Sequence, residues 1–136
     1  MILIKSDILD FLNVEDVRSP AKQEEIEMAQ EVIKVDLPEQ YVNLLLLTNG
    51  YEGFIGKSYI SLWKIEELVE LNDAYGVKEF APNLVLFGSD GGGEAYAFDA
   101  SKDMVIINIP FIGLGLEKES ILAETFNEFI KNLKVY

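Results

Sequence analysis

The chain has 136 residues, 49% hydrophobic and 11% aromatic, with 24 acidic against 11 basic side chains and a formal net charge of −13. Neither cysteine nor histidine occurs, which excludes disulfides, thiolate nucleophiles, cysteine metal sites and the usual imidazole base of hydrolases, leaving carboxylates, Lys and Tyr for any catalysis. The acidic balance disfavours nucleic-acid binding, which needs clustered Lys and Arg, while length and apolar content fit one self-folding domain over residues 1–136.

At the N-terminus, Asp7 and Asp10 interrupt the apolar core that a signal peptide needs, and no segment has the length to cross a bilayer. A cytoplasmic protein without membrane contact is therefore expected. The first element reads as a short helix from about Ser6 to Asn13, capped by Ser6, with Ile8, Leu9 and Leu12 on one side. Ser19 then stands as N-cap and Pro20 as first residue of a longer helix to about Lys34, carrying Ile26, Ala29 and Ile33 at helical spacing. Glu24, Glu27 and Glu31 form its wet face. Asp36-Leu37-Pro38 opens a third helix with Tyr41, Leu44, Leu45 and Thr48 on one face, ending at Asn49-Gly50. Leu44 to Leu47 is apolar all round, which predicts cover on several sides.

Residues 53–63 read as a hairpin turning near Lys57-Ser58, with Ile60 and Leu62 alternating against Ser61. A helix from about Lys64 to Tyr75 follows and stops at Gly76. Leu84–Gly88, Glu94–Asp99 and Met104–Ile109 are three strands whose connections are too short for a crossover helix, so they pair as an antiparallel meander. Between the first two, Gly91, Gly92 and Gly93 permit a tight reversal or close approach by another backbone. Residues 110–116 form an apolar, glycine-rich loop, read as folding back over the core rather than offering a sticky patch. Thr125-Phe126-Asn127-Glu128 has capping-box spacing ahead of a last helix with Phe129, Ile130 and Leu133. This order predicts an α+β fold: an antiparallel sheet, hairpin plus three-stranded meander, with helices packed on one face.

Few residues invite chemistry. Ser89 to Glu94 has the glycines of a phosphate loop, but such loops lead into a helix, a strand follows here, and Asp90 and Glu94 repel phosphate. The same turn lacks the alternating ligands and distant Glu of an EF-hand. Carboxylate pairs such as Glu66-Glu67 or Asp90 with Glu94 have the residue types of glycosidase acids, yet with 24 acids chance pairs are expected. Trp63 ends an apolar strand, where a core role outweighs that of an exposed anchor. Tyr96 shares a strand face with Glu94 and Phe98, and is structural if that face is the helix-covered one. Arg18, the sole arginine, reads as a solvated loop charge without a role.

Taken in order, Leu37-Pro38 with Tyr41, Asn49-Gly50, the run Phe87 to Gly93 with Tyr96 and Phe98-Asp99, and Ala123 through Ile130 resemble the SUKH superfamily, which includes fungal cell-wall assembly regulators of the Smi/Knr type and many bacterial proteins. The likeness spans about residues 20 to 133 and lies in order and spacing: LPxxY, NG, a G-x-D-G-x-G hairpin followed by Y-x-F-D, and a closing T-F-N-E-F-I helix. The resemblance implies binding rather than turnover. In bacteria it implies an immunity protein that neutralises a polymorphic toxin, a nuclease or deaminase; the alternative is a regulatory adaptor like the fungal members. No cofactor, metal or catalytic residue is implied. The expected partner is a basic protein, met by one acidic face around Glu52, Asp90 and Glu94, with Tyr96 as a candidate aromatic contact.

Overall fold

The computed structural model describes residues 10–114 and 120–135. Six strands pair antiparallel in chain order within one sheet: β1 (Tyr51–Ile55), β2 (Ser58–Leu62), β3 (Leu84–Ser89), β4 (Glu94–Asp99), β5 (Val105–Pro110) and β6 (Ser120–Ala123). Five helices accompany them among the described residues: α1 (Gln23–Ile33), α2 (Glu39–Leu45), α3 (Ile65–Ala74), α4 (Val77–Phe80) and α5 (Phe126–Val135). The architecture is the expected α+β type, with hairpin and meander fused into one sheet and lengthened by β6, which the sequence did not announce. No helix among the described residues is long and apolar enough to cross a membrane.

Strand alternation divides the side chains between two faces. On the first, Ile60, Leu62, Val85, Phe87, Phe98 and Ile106 meet residues of α1, α2, α3 and α5. Its centre is a set of rings: Tyr41 lies 5.6, 5.2 and 5.3 Å from Phe87, Phe98 and Phe126, and Phe87 stacks on Phe98 at 4.4 Å. Offset and edge-on contacts of this kind are favoured by ring quadrupoles and add to the large area that each ring buries. The Tyr41 hydroxyl is fully buried with no hydrogen-bond partner among the described residues, and burial drives its pKa far upward.

The second face is also covered, though less completely. Leu86, Ala95, Ala97, Ile107 and Ile109 pack with Trp63, Val77 and Leu114, so β3 and β4 are buried on both sides and read as nearly continuous apolar runs. Helices therefore do not occupy one face alone: α4 and residues 111–114 patch the other. The loop does fold back as far as Leu114, although Ile112 remains 91% exposed; Gly115 and Leu116 lie outside the described residues.

Local chemistry explains the element ends. Helix α1 begins at Gln23, later than a Ser19 cap requires, because residues 19–21 are bound elsewhere: Ala21 N–H donates to Leu45 O at 2.8 Å and Ser19 O accepts from Asn49 N at 2.9 Å. The residue before a proline is pushed toward extended backbone, which suits this tie. Glu25 instead accepts the Lys22 N–H at 2.9 Å and closes the first turn. Asn49 caps a different helix from the one it follows: its Oδ1 accepts from Ile65 N at 2.8 Å and its Nδ2 donates to Glu66 at 2.7 Å. Gly50, at φ +84°, brings this cap into place where a Cβ would stand 2.8 Å from Leu62 O. Gly76 terminates α3 region in the left-handed conformation, as expected. The helix expected over 6–13 lies largely outside the described residues; residues 10–12 form a turn and bend.

Strand β2 meets β3 at only two residue pairs, Ser61 with Ser89 and Leu62 with Gly88. A Cβ on Gly88 would lie 2.5 Å from Ser61 O, so this close crossing requires glycine. Trp63 N–H still donates to Phe87 O at 3.0 Å, after which the chain leaves the sheet for α3, and Asn72 of that helix substitutes for the missing neighbour: its Nδ2 donates to Leu86 O at 2.9 Å and its Oδ1 accepts from Leu86 N at 2.9 Å. A side-chain amide thus completes the ladder and satisfies backbone groups that would be orphaned in the interior.

Candidate functional site

The turn from Ser89 to Glu94 is stabilised by its own side chains. Asp90 Oδ1 accepts from Gly92 N at 2.8 Å and Glu94 N at 3.3 Å, and Ser89 Oγ accepts from Gly91 N at 3.2 Å. Gly91, at φ +84°, needs glycine twice over, since a Cβ there would also come within 2.7 Å of the Tyr59 ring. Gly93 has no such reason: a Cβ on it would meet nothing within 4 Å, and its φ lies outside the left-handed region. The run of three glycines therefore makes the turn with one and leaves bare surface with another.

The residues expected on a single acidic face are not brought together. Glu52 stands on β1 opposite Ser61, on the second face, with its side chain 53% exposed. Glu94 alternates with Ala95 onto the first face, where its Oε1 accepts from Asn108 Nδ2 at 3.2 Å. Asp90 lies in the turn between β3 and β4 and spends one carboxylate oxygen there. Tyr96 falls on the helix-covered face, where its structural reading applies: only 9% exposed, its ring lies 4.9 Å from Phe129 and 6.4 Å from Phe87. Burial, then the charges of Asp90 and Glu94, raise its phenol pKa. Its ring packs the core and is not presented to a partner.

Around Glu52 the fold builds a different site, an open groove of about 490 Å³ on the second face. Glu52 and Tyr59 form one wall, the bare turn at residues 91–93 another, and Trp63, Tyr75 and Phe111 the aromatic side. Trp63 and Tyr75 are nearly parallel, 6.4 Å apart at 14°, and Tyr75 and Phe111 lie 4.6 Å apart at 29°. Trp63 is buried, as its core reading requires, while Tyr75 is 40% exposed. Tyr59 donates its hydroxyl to Glu52 Oε1 at 3.0 Å, and that bond is the main reason its pKa is raised. Arg18 is not a lone solvated charge: its Nη2 lies 3.8 Å from Glu52 Oε2, brought there by the bridge between Val17 and Tyr51. Tyr59, Tyr75 and Phe111 escaped sequence reasoning. The signal for Tyr59 was the hairpin register, since a two-residue turn at Gly56-Lys57 puts Glu52, Phe54, Tyr59 and Ser61 on one face.

The other acids have structural work. Glu66 is bonded by its own backbone N–H and by Asn49, which lower its pKa, and Glu67 accepts the Lys64 N–H at 2.9 Å; this pair opens α3 rather than flanking a cleft. Among the described residues no group of three acids could hold a metal ion. A second cavity, about 600 Å³ between α1, α3 and the start of β3, is lined by valines and by Lys34 and Lys78 set against Glu70 and Asp73, a mixture that favours neither sign of ligand.

Residues 20–132 match the sequence profile of the SMI1 / KNR4 family (SUKH-1). No curated protein matches the chain.

Proposed function

The chain belongs to the SMI1 / KNR4 family (SUKH-1), a family that is generally non-catalytic, and on that premise we propose that it acts by binding, as a cytoplasmic immunity protein that covers the active or substrate-binding surface of a cognate bacterial toxin. The partner on this reading is a nuclease or deaminase whose substrate face is basic. The observation that carries it is the exposed carboxylate of Glu52 in an open groove walled by aromatic rings and bare backbone, in a protein of net charge −13. Aromatic groups beside a charge are what interface hot spots are made of, whereas diffuse acidity sets encounter rate. A stable complex of standard size buries about 1,600 Å² in total, so the groove supplies an anchor within a wider contact.

The test is the association rate with the toxin encoded beside this gene, measured across ionic strength. With a Debye length shrinking from about 30 Å at 0.01 M to 3 Å at 1 M, a steered encounter slows by an order of magnitude or more. A rate indifferent to salt, or a neighbouring gene product that the chain neither binds nor inhibits, removes this reading.

A further inference from the structure

The groove beside Glu52 has more chemical definition than a general acidic surface. We infer that it is a seat for one arginine side chain on an extended segment of a protein partner, and that Arg18 of the chain itself competes for the same carboxylate. The inference rests on the binding function proposed above only in taking the partner to be a protein.

Three features select a guanidinium. Glu52 is held from one side only, its Oε1 by Tyr59, while Oε2 has an ion pair at 3.8 Å, beyond hydrogen-bond distance. It therefore retains the capacity for a forked, charge-assisted pair, which a guanidinium makes and an ammonium does not. The half-exposed Tyr75, stacked on Trp63 and Phe111, offers a fixed aromatic surface within the same groove, and planar cations stack on such rings. Gly93, which no internal contact requires to be glycine, leaves the third wall open to approach by a partner main chain. Arg18 faces Glu52 from the segment before α1, and the long 3.8 Å separation makes it displaceable by a better-placed cation.

The full chain is titrated with a capped Gly-Ser-Arg-Ser-Gly peptide and with its lysine and citrulline counterparts. The readouts are the fluorescence of Trp63, the sole tryptophan, and the amide shifts of Gly91 to Gly93. The arginine peptide should bind in the millimolar range, at least about fivefold more tightly than the citrulline peptide, with lysine between them. Glu52→Gln should reduce arginine binding to the citrulline level. Arg18→Gln should tighten it about two- to threefold, whereas Lys131→Gln, the same charge change on α5, should leave it unaltered. Equal binding of arginine and citrulline peptides, an unchanged Kd for Glu52→Gln, or equal effects of Arg18→Gln and Lys131→Gln would each overturn the inference. Should the cognate toxin bind Glu52→Gln with undiminished affinity, the seat is wrong while the immunity reading stands; toxin neutralisation failing with peptide selectivity intact gives the reverse.

Discussion

On the first face of the sheet Tyr41, Phe87, Phe98 and Phe126 pack ring on ring beneath four helices, whereas on the second a four-residue helix and residues 111–114 leave Tyr75 and Glu52 in contact with water. Both faces hold aromatic stacks, so aromaticity alone does not mark a site. Closure distinguishes them: the first stack is enclosed and fixes the fold, while the second ends at an open groove. A scaffold with its stability lodged on one face is free to vary the other, which is how one fold serves unrelated partners.

The largest effect that would break this contrast is at Phe87. Phe87→Ala should lower unfolding free energy by about 3–5 kcal/mol, read by chemical denaturation; a loss below about 1 kcal/mol would mean that the first face does not dominate stability. Next comes the junction between the faces. Asn72→Leu keeps the branched shape but strips Leu86 of both partners, and should cost about 1–3 kcal/mol with faster amide exchange at Leu86. Smallest and sharpest is a pair in the turn. Gly91→Ala should cost about 1 kcal/mol, for its left-handed backbone and the Tyr59 ring beneath it, whereas Gly93→Ala should stay within about 0.5 kcal/mol in thermal melts. Equal costs at the two positions would mean that Gly93 serves the fold and not the groove.

Much of the architecture was written in local signals. Pro38 opens α2, Thr125 accepts from Glu128 N at the start of α5, Gly76 stops α3, and the three central strands begin and end within a residue of their apolar runs. What escaped depends on contacts distant in sequence. Ser19 has the chemistry of a cap, but its carbonyl is taken by Asn49. Residues 120–123 of β6 are mostly exposed, so no alternation betrays the strand. At the site, Glu52 and Glu94 were each legible as exposed acids, yet only the register places them on opposite faces. Tyr75 and Phe111 are 36 positions apart, and their stacking follows from the return of the chain after β5, which no local pattern encodes.

The short overlap of β2 with β3 makes their seam the floor of the groove. Glu52 pairs with Ser61, which pairs in turn with Ser89, and both serines line the groove, while Tyr59 lies two residues nearer the hairpin turn. Because Gly88 sets how closely those two backbones approach, a residue outside the lining fixes the spacing between Glu52 and the glycine turn.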